Sequence, residues 1–122
     1  MSYNVTWHPD VSIDLRELDD DKLQLVALTR MLALREDAYL GTELRERYNM
    51  RGLERCRSIK FDLEDWKGKP RYRLVYENQP SDGAPNEVRV HAVGPREDLR
   101  AYAAALTRQT ADKKTPRRRR GE

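Results

Sequence analysis

Two arginines and a tyrosine stand at a spacing that suits phosphate chemistry. Arg73 lies in the aromatic and branched run Tyr72-Arg73-Leu74-Val75-Tyr76, Arg96 follows Val93-Gly94-Pro95, and Tyr102 comes after a further turn of charged and small residues. A strand over 72–77 paired with the strand ahead of Arg96 would carry Arg73 toward the place where Arg96 and Tyr102 emerge. An RNA-cleaving site needs little more. A ribose 2′-OH attacks the adjacent phosphate, negative charge grows on the non-bridging oxygens, and fixed guanidinium groups hold it with paired hydrogen bonds. A tyrosine flanked by arginines suits the task of accepting the 2′-OH proton, because positive neighbours favour the phenolate. Each residue also has a plain structural reading. Arg73 and Arg96 could pair with Glu77, Glu97 or Asp98, and Tyr102 could be a core residue beside the Ala and Leu of its helix.

Further candidates surround these three. Trp66, flanked by Lys67 and Lys69, could stack on a nucleotide base while the lysines meet phosphate, or could cap the edge of the core. Histidine is the side-chain type suited to proton transfer, so His91 could shuttle a proton near the site, or could be a surface residue of its strand. His8 sits at a turn and is read as inert. The single cysteine, Cys56, is read as a small core residue, since one cysteine cannot form an internal disulfide. No Cys/His cluster has metal-ligand spacing, so neither a metal nor a cofactor is expected.

The elements that must position these residues follow from periodicity. Tyr3, Val5 and Trp7 alternate with polar residues as in a short strand, and His8-Pro9-Asp10 ends it, with Asp10 as a helix N-cap. A short helix is expected over Val11 to Leu18, and Asp19-Asp20-Asp21 breaks it and caps a second helix from about Lys22 to Tyr39. Leu25, Leu28 and Leu32 mark that helix's apolar stripe, widened by Leu23, Ala27, Met31, Leu34 and Ala38, with Gly41 as a stop. Residues 42–56 are ambiguous. Strands are expected over Arg57–Leu63, Tyr72–Glu77 and around Val88, Val90 and Ala92. A turn over 64–70 and a loop over 78–86 separate them. A helix follows from Glu97 to about Arg108. The expected fold is α+β: a small, largely antiparallel sheet with an N-terminal helical hairpin and a C-terminal helix, the helices on one face.

Composition sets the limits. With 122 residues, 38% hydrophobic and 37% charged, the chain suits one domain with a lean core. Residues 1–50 hold ten acidic and six basic residues, whereas residues 51–122 hold eleven acidic and eighteen basic. A polyanion would therefore meet the second half. Lys113 to Arg120 has six basic residues in eight, which predicts a basic disordered tail over 110–122 behind a domain of residues 1–109. No run is long and apolar enough for a membrane helix and no signal-peptide pattern opens the chain, so a cytoplasmic protein is expected.

The strand Tyr72–Tyr76, followed by Val93-Gly94-x-Arg96 and Tyr102, resembles the C-terminal half of RelE-like toxins, within the RelE/ParE superfamily. The likeness runs from about Arg71 to Arg108, close to a third of the chain. It implies a toxin of a type II toxin–antitoxin system, an endoribonuclease that cuts mRNA in the ribosomal A site. Its implied partners are the ribosome, mRNA and a cognate antitoxin protein whose acidic segment would cover the basic groove. By the resemblance Arg73 and Arg96 stabilise the reacting phosphate and leaving group, Tyr102 acts at the 2′-OH or stacks on a base, and Lys60 is the nearest match to lysines on the preceding strand. Arg73, Arg96 and Tyr102 are then expected to converge on one open, positively charged concave surface. Two alternatives share the fold: a ParE-like toxin that inhibits DNA gyrase without nuclease chemistry, and a non-catalytic RNA-binding module.

Overall fold

A computed structural model describes residues 2–44 and 52–114. The elements run β1 (Asn4–Trp7), α1 (Val11–Glu17), α2 (Asp21–Ala33), β2 (Thr42–Glu43), β3 (Cys56–Phe61), β4 (Tyr72–Gln79), β5 (Glu87–Pro95), a 3₁₀ turn (Glu97–Leu99) and α3 (Arg100–Lys114). Five strands form one sheet in the order β1-β5-β4-β3-β2. The pairs among β2, β3, β4 and β5 are antiparallel, and β1 closes the other edge parallel to β5. The α+β class and the mostly antiparallel sheet are as the alternation implies. Among the described residues, no helix is long and apolar enough to cross a membrane.

The helices do not share a face, contrary to expectation. Alternation along β4 sends Leu74 and Tyr76 into a core with Val11, Ala27, Met31 and Leu34, under α1 and α2. The intervening Val75 enters a second core with Ala92, Ala101, Tyr102 and Ala105, under α3. Successive strand residues point to opposite sides, and a strand buried on both must be covered on both. That is why the polar residues of β4 and β5, Arg73, Glu77, Asn78, Arg89 and His91, are buried along with the apolar ones.

The helical hairpin also departs from the sequence reading. Asp20 caps α2 as expected, its Oδ1 accepting from the amides of Lys22 (2.7 Å) and Leu23 (3.3 Å). Asp10 stands at the N-cap of α1 but makes no capping bond with its side chain; its own amide donates to His8 Nδ1 at 3.1 Å. Helix α2 ends at Ala33 rather than Tyr39. The segment after it is held by the sheet instead. Tyr3 N donates to Arg35 O, and both Tyr76 Oη and Asn78 Nδ2 donate to Ala38 O. Tyr76 Oη in turn accepts from Gly41 N, and burial pushes this phenol up to about 12. A Cβ on Gly41 would come within 2.9 Å of Ser58 O and of the Tyr76 ring, so this close approach requires glycine.

The buried line of α2 is Leu23, Ala27 and Met31, while Leu25, Leu28 and Leu32, the expected stripe, are 64%, 43% and 62% exposed. The two lines lie roughly a third of a turn apart at about 100° per residue. The sheet takes the one with small Ala27 at its centre, which lets the helix approach. At the other end, α3 runs on to Lys114, so residues 110–114, expected in the tail, are helical; residues 115–122 lie outside the described residues.

Candidate functional site

Strand register sets the site. Lys60 on β3 is the cross-strand partner of Arg73 on β4, and Arg73 is the partner of Gly94 on β5. Ile59 and Phe61 belong to the core under α1 and α2, so Lys60 and Arg73 stand on the opposite face, the one that carries α3. Lys60 is exposed and Arg73 only 7% exposed. Arg73 Nη1 donates to the carbonyls of Pro70 and Tyr72, each at 2.8 Å, while its Nε is buried without a hydrogen-bond partner. Among the described residues no ion pair involves Arg73. Glu77, a proposed partner, instead meets His91 Nε2 at 3.1 Å.

One row further along the same face, Ser58 is the partner of Val75, and its Oγ lies 3.4 Å from Tyr102 Oη. Tyr102 is only 3% exposed and packs in the core under α3. It therefore shares a face with Arg73, but not an open surface. Arg96 is exposed just beyond the end of β5, its amide donating to Arg71 O at 2.8 Å. That bond fixes its backbone two residues past Gly94, the partner of Arg73. The expected open convergence of Arg73, Arg96 and Tyr102 thus needs correction at Arg73 and Tyr102, which are both buried while Arg96 is exposed. A ring beside Ala101 and Ala105 on the sheet-facing side of a helix is drawn into the core, as its apolar neighbours favour.

The remaining candidates separate. Trp66 lies in the β3–β4 loop, lining a cavity of about 380 Å³ with Leu25 and Val26 of α2 and with Lys60 and Phe61 of β3; Arg73 does not border it. Its Nε1 donates to Lys69 O, and the Arg71 guanidinium lies 3.5 Å from its ring centroid. Arg71 is itself gripped by Asp62 through two 2.9 Å bonds from its side chain, which hold the Asp62 carboxyl down at about 2. Lys67 and Lys69 are exposed on that loop. His91, read as a substrate contact or a surface strand residue, is fully buried. Alternation from Val88 and Val90, which face the core under α1 and α2, sends His91 to the other face, where α3 covers it; at the β-bulge Val75 pairs with Ala92 but Tyr76 with Val90, so His91 is the extra residue and Ala92 joins it on the α3 face. Period-two counting cannot show a bulge.

Missed by sequence reasoning is the ion pair that joins the two helical layers. Arg108 of α3 bonds both carboxylate oxygens of Asp14 on α1 and also donates to His91 O. Asp14 accepts from Val93 N as well, where β5 runs past the end of β1. The Asp14 hydrogen bonds push Arg108 above its ordinary range. Arg57 plays the same part at the other edge, bonding Asp82, Glu43 and the Gly41 carbonyl.

No protein-family model matches this sequence, and no curated protein matches it in sequence. Among solved structures, the fold is similar to that of E. coli toxin RelE in the free state, a variant with two arginines changed to alanine. The TM-score is 0.62 at 23% identity, covering 88% of this chain and 98% of that one.

Proposed function

We propose, from the premise of a RelE-like fold, that this chain is the toxin of a toxin–antitoxin pair and an endoribonuclease acting on mRNA in the ribosomal A site. The observation that carries the reading is the Lys60–Arg73 row, with an Arg73 Nε that is buried and unsatisfied. An orphaned buried donor is costly, and a non-bridging phosphate oxygen would satisfy it with a charge-assisted bond once RNA binding turns the Arg73 side chain outward. Lys60 and Arg96 add positive charge at the rim of that position. The 2′-OH attacks the adjacent phosphorus as its proton passes to solvent, and the P–O5′ bond breaks to leave a 2′,3′-cyclic phosphate and a 5′-OH that takes up a proton from water; Arg73 and Arg96 hold the charge that develops on the phosphoryl oxygens. Tyr102 serves in this reading as a positioning residue, keeping the first turn of α3 on β3. Trp66, Lys67 and Lys69 contact RNA outside the reacting phosphate, from the neighbouring loop. His91 is withdrawn from substrate contact by its burial. The partner that silences the toxin is an acidic antitoxin segment laid over the same row, where it gains charge-assisted contacts.

A second reading has one observation in its favour. The burial of Tyr102 leaves the row without an open proton acceptor of that type, which suits a non-nuclease toxin or RNA-binding module on the same fold. Single-turnover cleavage of mRNA placed in a ribosomal A site separates the two. Arg73→Ala and Arg96→Ala should each lower the rate about a hundredfold, more than they weaken binding. Equal rates for the wild type and the double variant would reject the nuclease reading.

A further inference from the structure

We propose that Cys56, Glu77 and His91 form a binding site for a divalent transition-metal ion of the zinc class, buried between the sheet and α3. The three come from three adjacent strands. Cys56 is the register partner of Glu77, and His91, the extra residue at the β5 bulge, stands on the same face beside them. Their Sγ, carboxylate oxygen and imidazole nitrogen all lie within 4.8 Å of one another. Ligands around a tetrahedral zinc are separated by about 3.3–3.7 Å, given bond lengths near 2.0–2.3 Å, so small side-chain rotations close the site. Far apart in the sequence, the ligands show no ligand spacing there; only strand register assembles them.

Burial, charge and an orphaned atom point to the ion. Cys56, Glu77 and His91 are 1%, 5% and 0% exposed. A carboxylate placed so deep is costly unless it is paired. A divalent cation against one carboxylate and one thiolate leaves no net charge in the core. Thiolate with imidazole selects zinc-class metals over magnesium or calcium, which prefer oxygen. His91 Nδ1 is buried without a hydrogen-bond partner, and Asp112 Oδ2 of α3 stands 3.8 Å from it. If Nε2, which already faces Glu77, ligates the metal, Nδ1–H turns to Asp112, the carboxylate–imidazole–metal arrangement that orients such histidines. Gln109, on the same helix, accepts from the Cys56 thiol at 2.9 Å, a contact that the metal would replace when the proton leaves. A cavity of about 470 Å³, bordered by Glu77, Gln109 and Asp112, supplies the entry path and a water for the fourth position. Binding releases the Cys56 proton to solvent and ties β3, β4 and β5 together under α3.

Cobalt titration of the full chain tests the site without reference to RNA cleavage. One Co²⁺ per chain should bind with a near-ultraviolet thiolate-to-cobalt charge-transfer band and tetrahedral visible bands, and one equivalent of Zn²⁺ should displace it. Cys56→Ser should abolish the charge-transfer band. His91→Gln should weaken metal affinity more than tenfold, and Asp112→Asn about ten- to a hundredfold. Metal should also raise the melting temperature by several degrees, by roughly the linkage expected of a ligand that binds only the folded chain. Should the Cys56 variant not fold, X-ray absorption of the zinc-loaded wild type decides: one sulfur among lighter ligands supports the site, and nitrogen and oxygen alone overturn it. A folded wild type without a thiolate band in excess Co²⁺, or an affinity unchanged by His91→Gln, also overturns it.

Discussion

Arg73 and Tyr102 lie on the same sheet face, yet their polar atoms are used differently. Arg73 spends Nη1 on two backbone carbonyls, which fix the guanidinium plane, and keeps a buried Nε without a partner. Tyr102 places its hydroxyl 3.4 Å from Ser58 Oγ beneath α3. Tyr102→Phe should therefore leave single-turnover cleavage within a few-fold of wild type and lower stability by no more than about 1 kcal/mol, the usual worth of one hydrogen bond. A hundredfold loss of rate in a folded Phe variant would return Tyr102 to the role of proton acceptor. A separate residue-scale test concerns Asp62. Arg71 holds its carboxyl at about 2, below the ordinary 3.8. A depressed folded pKa contributes stability that is complete above the unfolded value and is lost as pH falls through the folded one. Thermal melts should show wild type more stable than Asp62→Asn at neutral pH, with the gap closing between about pH 4 and pH 2. A gap independent of pH would mean that packing, not charge, explains it. The residue types were legible from sequence: Arg73 and Arg96 on or beside strands, Tyr102 on a helix. The fate of each polar atom was not, because that depends on which face α3 covers.

The elements divide by how local their cause is. Strands β4 and β5 announce themselves through branched and aromatic residues, and Asp20 through its place ahead of an apolar run, because these are decided within a few residues. The end of α2 is decided elsewhere: Tyr3, Tyr76 and Asn78 claim carbonyls of residues 35 and 38 from distant parts of the chain. The choice between two apolar lines on α2 is likewise made by the sheet. It separates residues of one chemical type into two energetic classes. Leu34 is fully buried whereas Leu25 and Leu32 are largely exposed. Leu34→Ala should cost about 2–5 kcal/mol through lost burial and the cavity left behind, whereas Leu25→Ala and Leu32→Ala should each stay within about 0.5 kcal/mol. Urea unfolding of the isolated protein measures all three; comparable losses at Leu32 and Leu34 would mean that α2 is rotated from the position described. The facing of Ala92 belongs to this scale too, since the extra residue His91 puts it on the α3 side rather than with Val88 and Val90, without altering the composition of the strand.

Across the whole molecule the charge is unevenly divided, with a basic surplus confined to residues 51–122. Part of it is structural: Arg57 and Arg108 are consumed by Asp82 and Asp14, where they tie edges and layers together. The charge that could meet a polyanion includes Lys60, the β3–β4 loop lysines and Arg117 to Arg120, the last lying outside the described residues. These groups should act differently. Contacts at the reacting phosphate lower the barrier, whereas arginines beyond α3 add sequence-independent attraction through release of counterions from the nucleic acid. Deleting residues 115–122 removes four arginines. If all four meet phosphates of single-stranded RNA, the slope of log affinity against log salt should become shallower by about 3, at roughly 0.7 per contact. Affinity should fall most at low salt, where release contributes most. The rate of a single turnover with ribosome and toxin at saturation should be unchanged, because the truncation leaves Lys60, Arg73 and Arg96 in place. Filter binding across a salt series, beside saturated single-turnover cleavage, reads the two effects separately. An unchanged slope would remove these arginines from the RNA interface, and a collapse of the saturated rate would place them at the reacting phosphate instead.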